Sequence, residues 1–425
     1  MAICFLKQKT STYTFKRYEN FTEGLVSRQE PGIEQADQPE RLSRPRDYLA
    51  ATHVGNYALF GGGKYNNMVV DRSVNSKDVD VYDQSLNRTT ATELSEGRHH
   101  LAATSIRNEY ALFGGGIKGD EKLNVVDAYD SNLNKVNAQE LYVPRGYLTA
   151  THVGNYALFA GGIATQVSAI VDAFDTPLNR VTPPSLSAPR YNLASTHVGN
   201  HALFGGGTTT NITEVDTVDA YDQNLNMTTI TPLSIPRSDL AATHVGNYAL
   251  FAGGYHQNIF EDRSQYSKRV DAFDSLLNLV TAPIETLSYD KKDLASAHIE
   301  KYAIFAGGRN NPHIFRTVDV YGETLDRTST QNLSGNGMYV VGTHVGEYAL
   351  FAPIYPATAA DSDQDQVGTV DAYRENQPVC DFPVVPSSIY KFEPFDEEIT
   401  AESFSKITVN YPVNGYVKYI TTTLT

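Results

Sequence analysis

A chain of 425 residues exceeds the span of one compact core, so it holds several domains or one repeat architecture that grows by addition. Its 34 basic and 49 acidic residues leave a net charge of −15, which repels phosphate backbones and anionic lipid surfaces and excludes nucleic acid as the expected partner. Two cysteines are too few for a disulfide framework or a thiolate zinc site, and no run approaches the ~18 apolar residues of a membrane span, so no membrane insertion is expected.

At the N-terminus, "MAICFLK" is too short an apolar run for a signal peptide, so no N-terminal secretory signal is expected. Residues 1–32, with "YTFKRYENF", read as a non-repeat β segment. Cys4 lies there and Cys380 near the other end, two expected free thiols that could pair only if the termini meet. Residues 33–378 are repetitive. The phrase "THVGNYALFGGG" (Thr52 to Gly63) returns almost unchanged from Thr151, Thr196 and Thr243. Marked by the residue that opens "YALF", the copies start at Tyr57, Tyr110, Tyr156, His201, Tyr248, Tyr302 and Tyr348. Seven copies with a period near 50 lie in the range of propeller blades.

Within each unit the signals are β. Blade one reads as "YLAATHV" (Tyr48 to Val54), a Gly-Asn turn, "YALFGGG", a loop of variable length, "DVDVYD" (Asp78 to Asp83) and, after "SLN", "RTTATEL" (Arg88 to Leu94). Small residues such as Ala50, Ala51 and Thr52 suit an innermost strand where sheets crowd an axis, and the glycine run suits a backbone that bends or approaches closely. The segment up to Arg46, with "RLSRPR" (Arg41 to Arg46) matching the later blade junctions, is expected to donate the outermost strand of blade seven. After Tyr373 the repeat dissolves. Residues 379–425 read as a C-terminal β tail or docking segment with a hairpin turn at "PVNG" (Pro412 to Gly415), able to pair with residues 1–32 as a small base. The acidic runs "DSDQDQ" (Asp361 to Gln366) and "EPFDEE" (Glu393 to Glu398) read as solvated loops.

These units resemble Kelch repeats over roughly residues 41 to 375. The resemblance rests on the glycine pair closing the second strand, the third-strand aromatic (Tyr82, Tyr129, Phe174, Tyr221, Phe273, Tyr321, Tyr373) and the Arg before the first strand (Arg46, Arg98, Arg145, Arg190, Arg237). It implies an all-β, seven-bladed Kelch-type β-propeller with flanking N- and C-terminal β segments. Two departures are plain. The Trp common in the fourth Kelch strand is absent, leaving Thr89, Val136, Val181 and Thr228 near its place, and "FAPIYP" (Phe351 to Pro356) replaces the glycine pair of repeat seven. The near-identity of the copies is also similar to Kelch-type proteins of bacteriophage tails and phage-tail-like particles.

Three sets of residues could carry chemistry. A His recurs at His53, His152, His197, His244, His298 and His344, with Ser105 in blade two; inner-strand side chains are expected to point toward neighbouring blades, so interblade hydrogen bonding is expected and no metal or cofactor. The Asp of "VDAYD" (Asp127, Asp172, Asp219, Asp271, Asp319, Asp371) is expected to satisfy turn amides. Function is expected where the copies differ. One variable set is the residue just before each innermost strand: Tyr48, His100, Tyr147, Asn192, Asp239, Asp293 and Tyr339. The other is the loop after the glycines, opening with Lys64, Tyr255 and Arg309 in blades one, five and six. Such Tyr, Asn, His and Arg residues stack on sugars or peptides and hydrogen-bond their edges.

No nucleophile elbow or His-Glu zinc motif occurs, a sialidase Asp box cannot form without Trp, and both cysteines lie outside the repeated core, unlike the Tyr-Cys pair of galactose-oxidase-type enzymes. No catalytic residue is therefore assigned. The expectation is a non-enzymatic binding module, a phage tail or baseplate component that recognises a host cell-surface glycan or protein through its loops and meets other subunits of a larger assembly through its terminal β segments. The alternatives are a cytoplasmic adaptor holding a peptide at the channel mouth, or a sugar-processing enzyme such as a mutarotase.

Overall fold

The recurring phrase folds as an antiparallel hairpin in every blade. In blade one Ala50–Val54 pairs with Tyr57–Gly61, and Val54 faces Tyr57 across the two-residue turn. Gly55 opens that turn at φ +53, which lets the turn follow the right-handed twist of its strands. A computed structural model of the chain describes residues 3–4, 16–17, 32–67, 72–258, 263–335, 337–352, 368–376, 393–394 and 407–408.

Against each hairpin lies a third strand, Val79–Asp83 in blade one and its counterparts through Asp371–Glu375 in blade seven. A fourth strand completes most sheets, for example Arg88–Thr90 and Met227–Ile230. Blade three keeps only Arg180–Val181 and blade five a bridge from Phe273 to Leu279. Pro183 and Pro283 follow these short runs, and proline has no N–H to extend the ladder. Seven such sheets make a β-propeller, and among the described residues none is helical. Ile33–Gln35 supplies the outer strand of blade seven, pairing with Tyr373–Glu375. The chain divides into two units, residues 33–375 and residues 1–32 with 376–425. In the second, Ile3–Cys4 pairs with Ile407–Thr408 and Lys16–Arg17 with Glu393–Pro394. The readings of Cys380, "DSDQDQ", "PVNG" and the end of "FAPIYP" fall outside the described residues.

The core lies between blades. Val54, Leu59 and Val81 of blade one pack on Ala111, Phe113 and Tyr129 of blade two, and the pattern repeats around the ring. A blade's two faces are buried only against its neighbours, so stability grows by nearest-neighbour contacts. The positions left vacant by Trp are open, with Thr89 and Thr228 exposed.

In blades one to six the segment that leads into the inner strand is pinned by a buried ion pair. Arg46 meets Asp80 at 2.7 Å, Arg98 meets Asp127 at 2.7 Å, Arg145 meets Asp172 at 2.7 Å, Arg190 meets Asp219 at 2.6 Å and Arg237 meets Asp271 at 2.7 Å. The same carboxylates accept turn amides, such as those of Ser95 and Ser187. Blade six uses Lys291 with Asp319 at 3.0 Å. Blade seven has Gly337 at this position; Asp371 takes Gln35 Nε2 at 2.8 Å and the Ser334 amide instead, and burial raises its carboxyl above the usual range despite these donors and nearby Arg316.

The glycine pair turns the chain beneath this junction. Gly206 sits at φ +67, and a Cβ there would lie 2.4 Å from the Arg237 carbonyl oxygen. Gly119, at φ +60, has nothing within 4 Å of the same position. Gly206→Ala is therefore expected to cost about 1 kcal/mol of backbone strain plus a clash the backbone must absorb, on the order of 2–4 kcal/mol in all, while Gly119→Ala costs only about 1 kcal/mol. Urea titration of both variants measures the difference, and equal losses would refute the close-approach argument.

One expectation is corrected by the strands themselves. Several of the variable loops after the glycines are β-ribbons: Lys64–Asn67 pairs with Arg72–Asn75, Tyr255–Asn258 with Arg263–Tyr266, and Arg309–Asn310 with His313–Ile314. The β-favouring Val74 and Tyr266 in these runs suit extended pairing.

Candidate functional site

Just before each innermost strand the chain takes one left-handed step. Tyr48, His100, Tyr147, Asn192, Asp239, Asp293 and Tyr339 have φ between +51 and +56, and none is glycine. A residue with a Cβ costs roughly 1 kcal/mol or more in this conformation. Across blades one to six it is held by a run of backbone hydrogen bonds. The His100 N–H donates to the Tyr48 carbonyl at 3.0 Å, Tyr147 to His100 at 3.1 Å, Asn192 to Tyr147 at 3.5 Å, Asp239 to Asn192 at 3.0 Å and Asp293 to Asp239 at 3.1 Å. Blades two to six thus each hand one amide to the blade before.

A second set of bonds brings the post-glycine ribbons to the same place. Asp47 and Lys64 exchange both N–H···O bonds at 2.8 Å, and Ser238 with Tyr255 and Lys292 with Arg309 do likewise. The two variable sets of the sequence therefore meet at one mouth of the channel. The cavity there has a volume of about 270 Å³, walled by the seven left-handed residues and floored by the buried leucines that follow them, such as Leu49 and Leu193.

The wall is divided. Over four consecutive blades it is aromatic: Tyr339 and Tyr48 have ring centroids 4.4 Å apart, Tyr48 stacks on His100 at 4.0 Å, and His100 meets Tyr147 at 4.1 Å. Lys64 Nζ lies 4.7 Å over Tyr48 and the Arg309 guanidinium 5.3 Å over Tyr339. Across the channel the wall is polar, with Asn192, Asp239 and Asp293. Lys292 Nζ lies 3.0 Å from Asp239 and 3.9 Å from Asp293, Arg309 Nε lies 2.7 Å from Asp293, and Tyr255 stands under Lys292 at 5.1 Å.

Burial sets the protonation of this mouth. It raises the Tyr48 phenol, aided by a hydrogen bond with Tyr339, and lowers the His100 imidazole to about 3 and that of His99, whose Nδ1 faces His100 Nδ1, to about 4. Burial and the neighbouring Asp293 charge raise the Asp239 carboxyl, against the pull of Lys292. The aromatic arc is therefore uncharged at neutral pH.

All ten residues singled out from sequence line or border this mouth: the seven form its wall, and Lys64, Tyr255 and Arg309 stand behind it. Sequence reasoning missed Lys292, which joins two carboxylates, and His99 and Asp47. The available signal was adjacency, since each precedes a residue of the first set.

At the other mouth the repeated histidines behave differently from expectation. Alternating burial along Ala50–Val54 leaves His53 partly exposed to the channel while Thr52 and Val54 are buried between blades. The rings meet one another at a tilt around the axis, His53 and His344 at 3.9 Å, His244 and His298 at 3.9 Å and His197 and His244 at 4.1 Å. The expected interblade hydrogen bond occurs between Ser105 Oγ and His53 Nε2, while the expected orientation is corrected, because alternation along the strand turns these residues to the channel side, where each ring meets the next. Burial first, and then mutual repulsion, lowers them: His244 and His344 fall to about 4. Among the described residues no group of three or more His, Cys, Asp or Glu is disposed to hold a metal ion, and no helix is long and apolar enough to cross a membrane.

No family model matches the chain, and no curated protein sequence matches it. Among solved structures the chain is similar to that of YjhT, with a TM-score of 0.54 at 12% identity, over 69% of this chain and 99% of that one. At that identity the likeness is one of fold, and it agrees with the β-propeller described above.

Proposed function

We propose that the protein is a non-enzymatic binding module that takes one sugar ring, or one comparable polar side group, in the mouth walled by Tyr48, His100, Tyr147 and Tyr339. The observation that supports this reading is the divided wall: an uncharged aromatic arc faces an arc of Asn192, Asp239 and Asp293. A sugar has the matching halves, an apolar C–H face that packs on aromatic rings and hydroxyls that donate to carboxylates. The volume of about 270 Å³ lies just below the ~300–1,000 Å³ of pockets for drug-sized ligands, which favours a single terminal unit over a long chain.

The setting we propose is a phage tail or tail-like particle, with a host cell-surface glycan or glycoprotein as ligand and the terminal strand pairs as the attachment to other subunits. Binding to a glycan array, followed by titration of the best glycan, tests the site. Tyr48→Ala is expected to weaken binding about tenfold or more, and Tyr142→Ala, an exposed aromatic outside the mouth, to leave it unchanged. Equal affinity in the Tyr48 variant would sink the proposal.

A second reading, a sugar-processing enzyme of the mutarotase kind, draws on the same residues. Asp239 has a carboxyl raised by burial and by the neighbouring Asp293 charge, and a raised carboxyl at a cavity wall can hold or pass a proton near neutral pH. Catalysed mutarotation that Asp239→Asn abolishes would favour it over simple binding.

A further inference from the structure

Blade two breaks the repeat twice in one hairpin. Ser105 stands where the six other blades carry a histidine, and the turn is the three residues Arg107, Asn108 and Glu109 where the others use two. The structure brings these two departures together. Around the axis, imidazoles in tilted contact run from His152 through His197, His244, His298 and His344 to His53, with centroids 3.9 to 4.3 Å apart. At Ser105 the run is interrupted. The small side chain leaves a gap in which Ser105 Oγ lies 3.2 Å from His53 Nε2, and a cavity of about 430 Å³ opens there.

The lining of that gap offers one cation and several donors. Arg107, Asn108, Ser105, His53, His152 and His197 border it, with Val153 and the Gly154 and Gly199 turns, and no carboxylate is among the lining residues. In a chain of net charge −15 such a lining is not a sample of the average surface. The turn that carries the cation is also strained. Arg107 and Asn108 are both left-handed, at φ +47 and +61, and are held by Gly55 N–H to the Asn108 carbonyl at 3.1 Å and Glu109 N–H to the Ile106 carbonyl at 2.7 Å. Every other blade closes the same hairpin with a two-residue turn, so the longer one is a local departure whose result is an arginine at the channel rim.

We propose that this gap is a second ligand site, at the mouth opposite the aromatic one, for a small soluble oxyanion bearing a carboxylate or phosphate group. The Arg107 guanidinium presents the planar fork that fits two anionic oxygens, and it is exposed at the rim, free to close on a ligand. Behind it the Ser105 hydroxyl and the ring N–H groups of His53 and His152 offer the deeper donors. The volume lies within the ~300–1,000 Å³ typical of small-molecule sites, so the anion can carry a modest organic body.

Isothermal titration of the full chain with inorganic phosphate and, separately, with acetate, at constant ionic strength, tests this site. Saturable one-site binding of either is expected, and the tighter of the two identifies the class of anion. Arg107→Gln is expected to weaken it about tenfold or more. Ser105→His, which restores the residue of the other six blades and fills the gap, is expected to abolish it, while Tyr48→Ala at the opposite mouth leaves it unchanged. No saturable heat with either anion would overturn the proposal. So would an affinity that survives both Arg107→Gln and Ser105→His, or one that Tyr48→Ala removes.

Discussion

Asp219→Ala is expected to lower the unfolding free energy of the propeller by about 3–5 kcal/mol, the largest single-residue loss anticipated for this chain. The carboxylate is fully buried and answers four groups: Arg190 at 2.6 Å, the Ser187 amide and hydroxyl at 3.0 Å, and the Thr229 hydroxyl at 2.7 Å. Deleting it strands a buried guanidinium, because Arg190 keeps only the Thr217 and Phe204 carbonyls, at 3.0 and 3.3 Å, and a carbonyl does not neutralise a charge. The double replacement Arg190→Leu with Asp219→Leu should cost far less, since removing both charges also removes their desolvation penalty. Blade seven supplies the internal control: Asp371 meets no arginine from its own junction and its carboxyl is raised, so ionisation there already costs stability at neutral pH. Asp371→Asn should therefore cost less than Asp219→Asn. Guanidinium titrations of the four variants measure these differences; if the Asp219 and Asp371 changes cost the same, the ion pair is not what pins the junction.

The second large effect is acid sensitivity between pH 6.5 and 4. The imidazoles of His244 and His344 fall from 6.5 to about 4, His53, His197 and His298 fall well below 6.5, and His152 is also lowered. A base whose folded value lies below its unfolded value binds fewer protons when folded. Its contribution is whole above 6.5 and is lost as the pH falls from 6.5 toward the folded value. A single ring held at 4 rather than 6.5 forfeits on the order of 3 kcal/mol by pH 4, less in practice because the ring is partly open to the channel. His99 and His100 act in the same direction from the other mouth. The lowered carboxyls of Asp127, Asp130, Asp222 and Asp274 lose their contribution only below 3.8, outside this window. Denaturation midpoints at pH 7, 6 and 5 should therefore fall, and the triple change His244→Gln, His298→Gln and His344→Gln should flatten the fall by about half. An unaltered slope would show that the ring is not the acid-labile element.

How far the residues alone led can be seen in particular places. The twelve-residue phrase announced its hairpin because period-two alternation and a Gly-Asn turn are local physics, and seven copies left a ring as the way to bury every face. Both variable sets of the mouth were also visible in sequence, but not their meeting: Asp47 and Lys64, or Lys292 and Arg309, come together through bonds that only the folded blade makes. The same limit hid the ion pairs. Arg190 and Asp219 both stood out as repeated residues, yet nothing in a spacing of 29 positions says that one reaches the other. For the histidines the interblade bond was legible, as at His53 and Ser105, but not their orientation, because strand alternation fixes which residues share a side, not which side looks inward.

Both ends of the propeller's chain leave from the same edge. Ile33 is the register partner of Glu375, followed by Glu34 with Arg374, which add a side-chain ion pair at 2.9 Å, and Gln35 with Tyr373. Tension applied through residues 32 and 376 would therefore load this antiparallel ladder as a peel, opening one rung at a time, rather than as a shear that strains all rungs together. The short ladder, extended at its ends by bonds between Gly32 and Asn376 and from the Ala36 N–H to the Ala372 carbonyl, forms a mechanical fuse, shorter than the five-residue hairpin at the centre of each blade. A circle of near-identical blades has no first member by sequence, but under load it has one, and it is the blade that two distant stretches of chain build together.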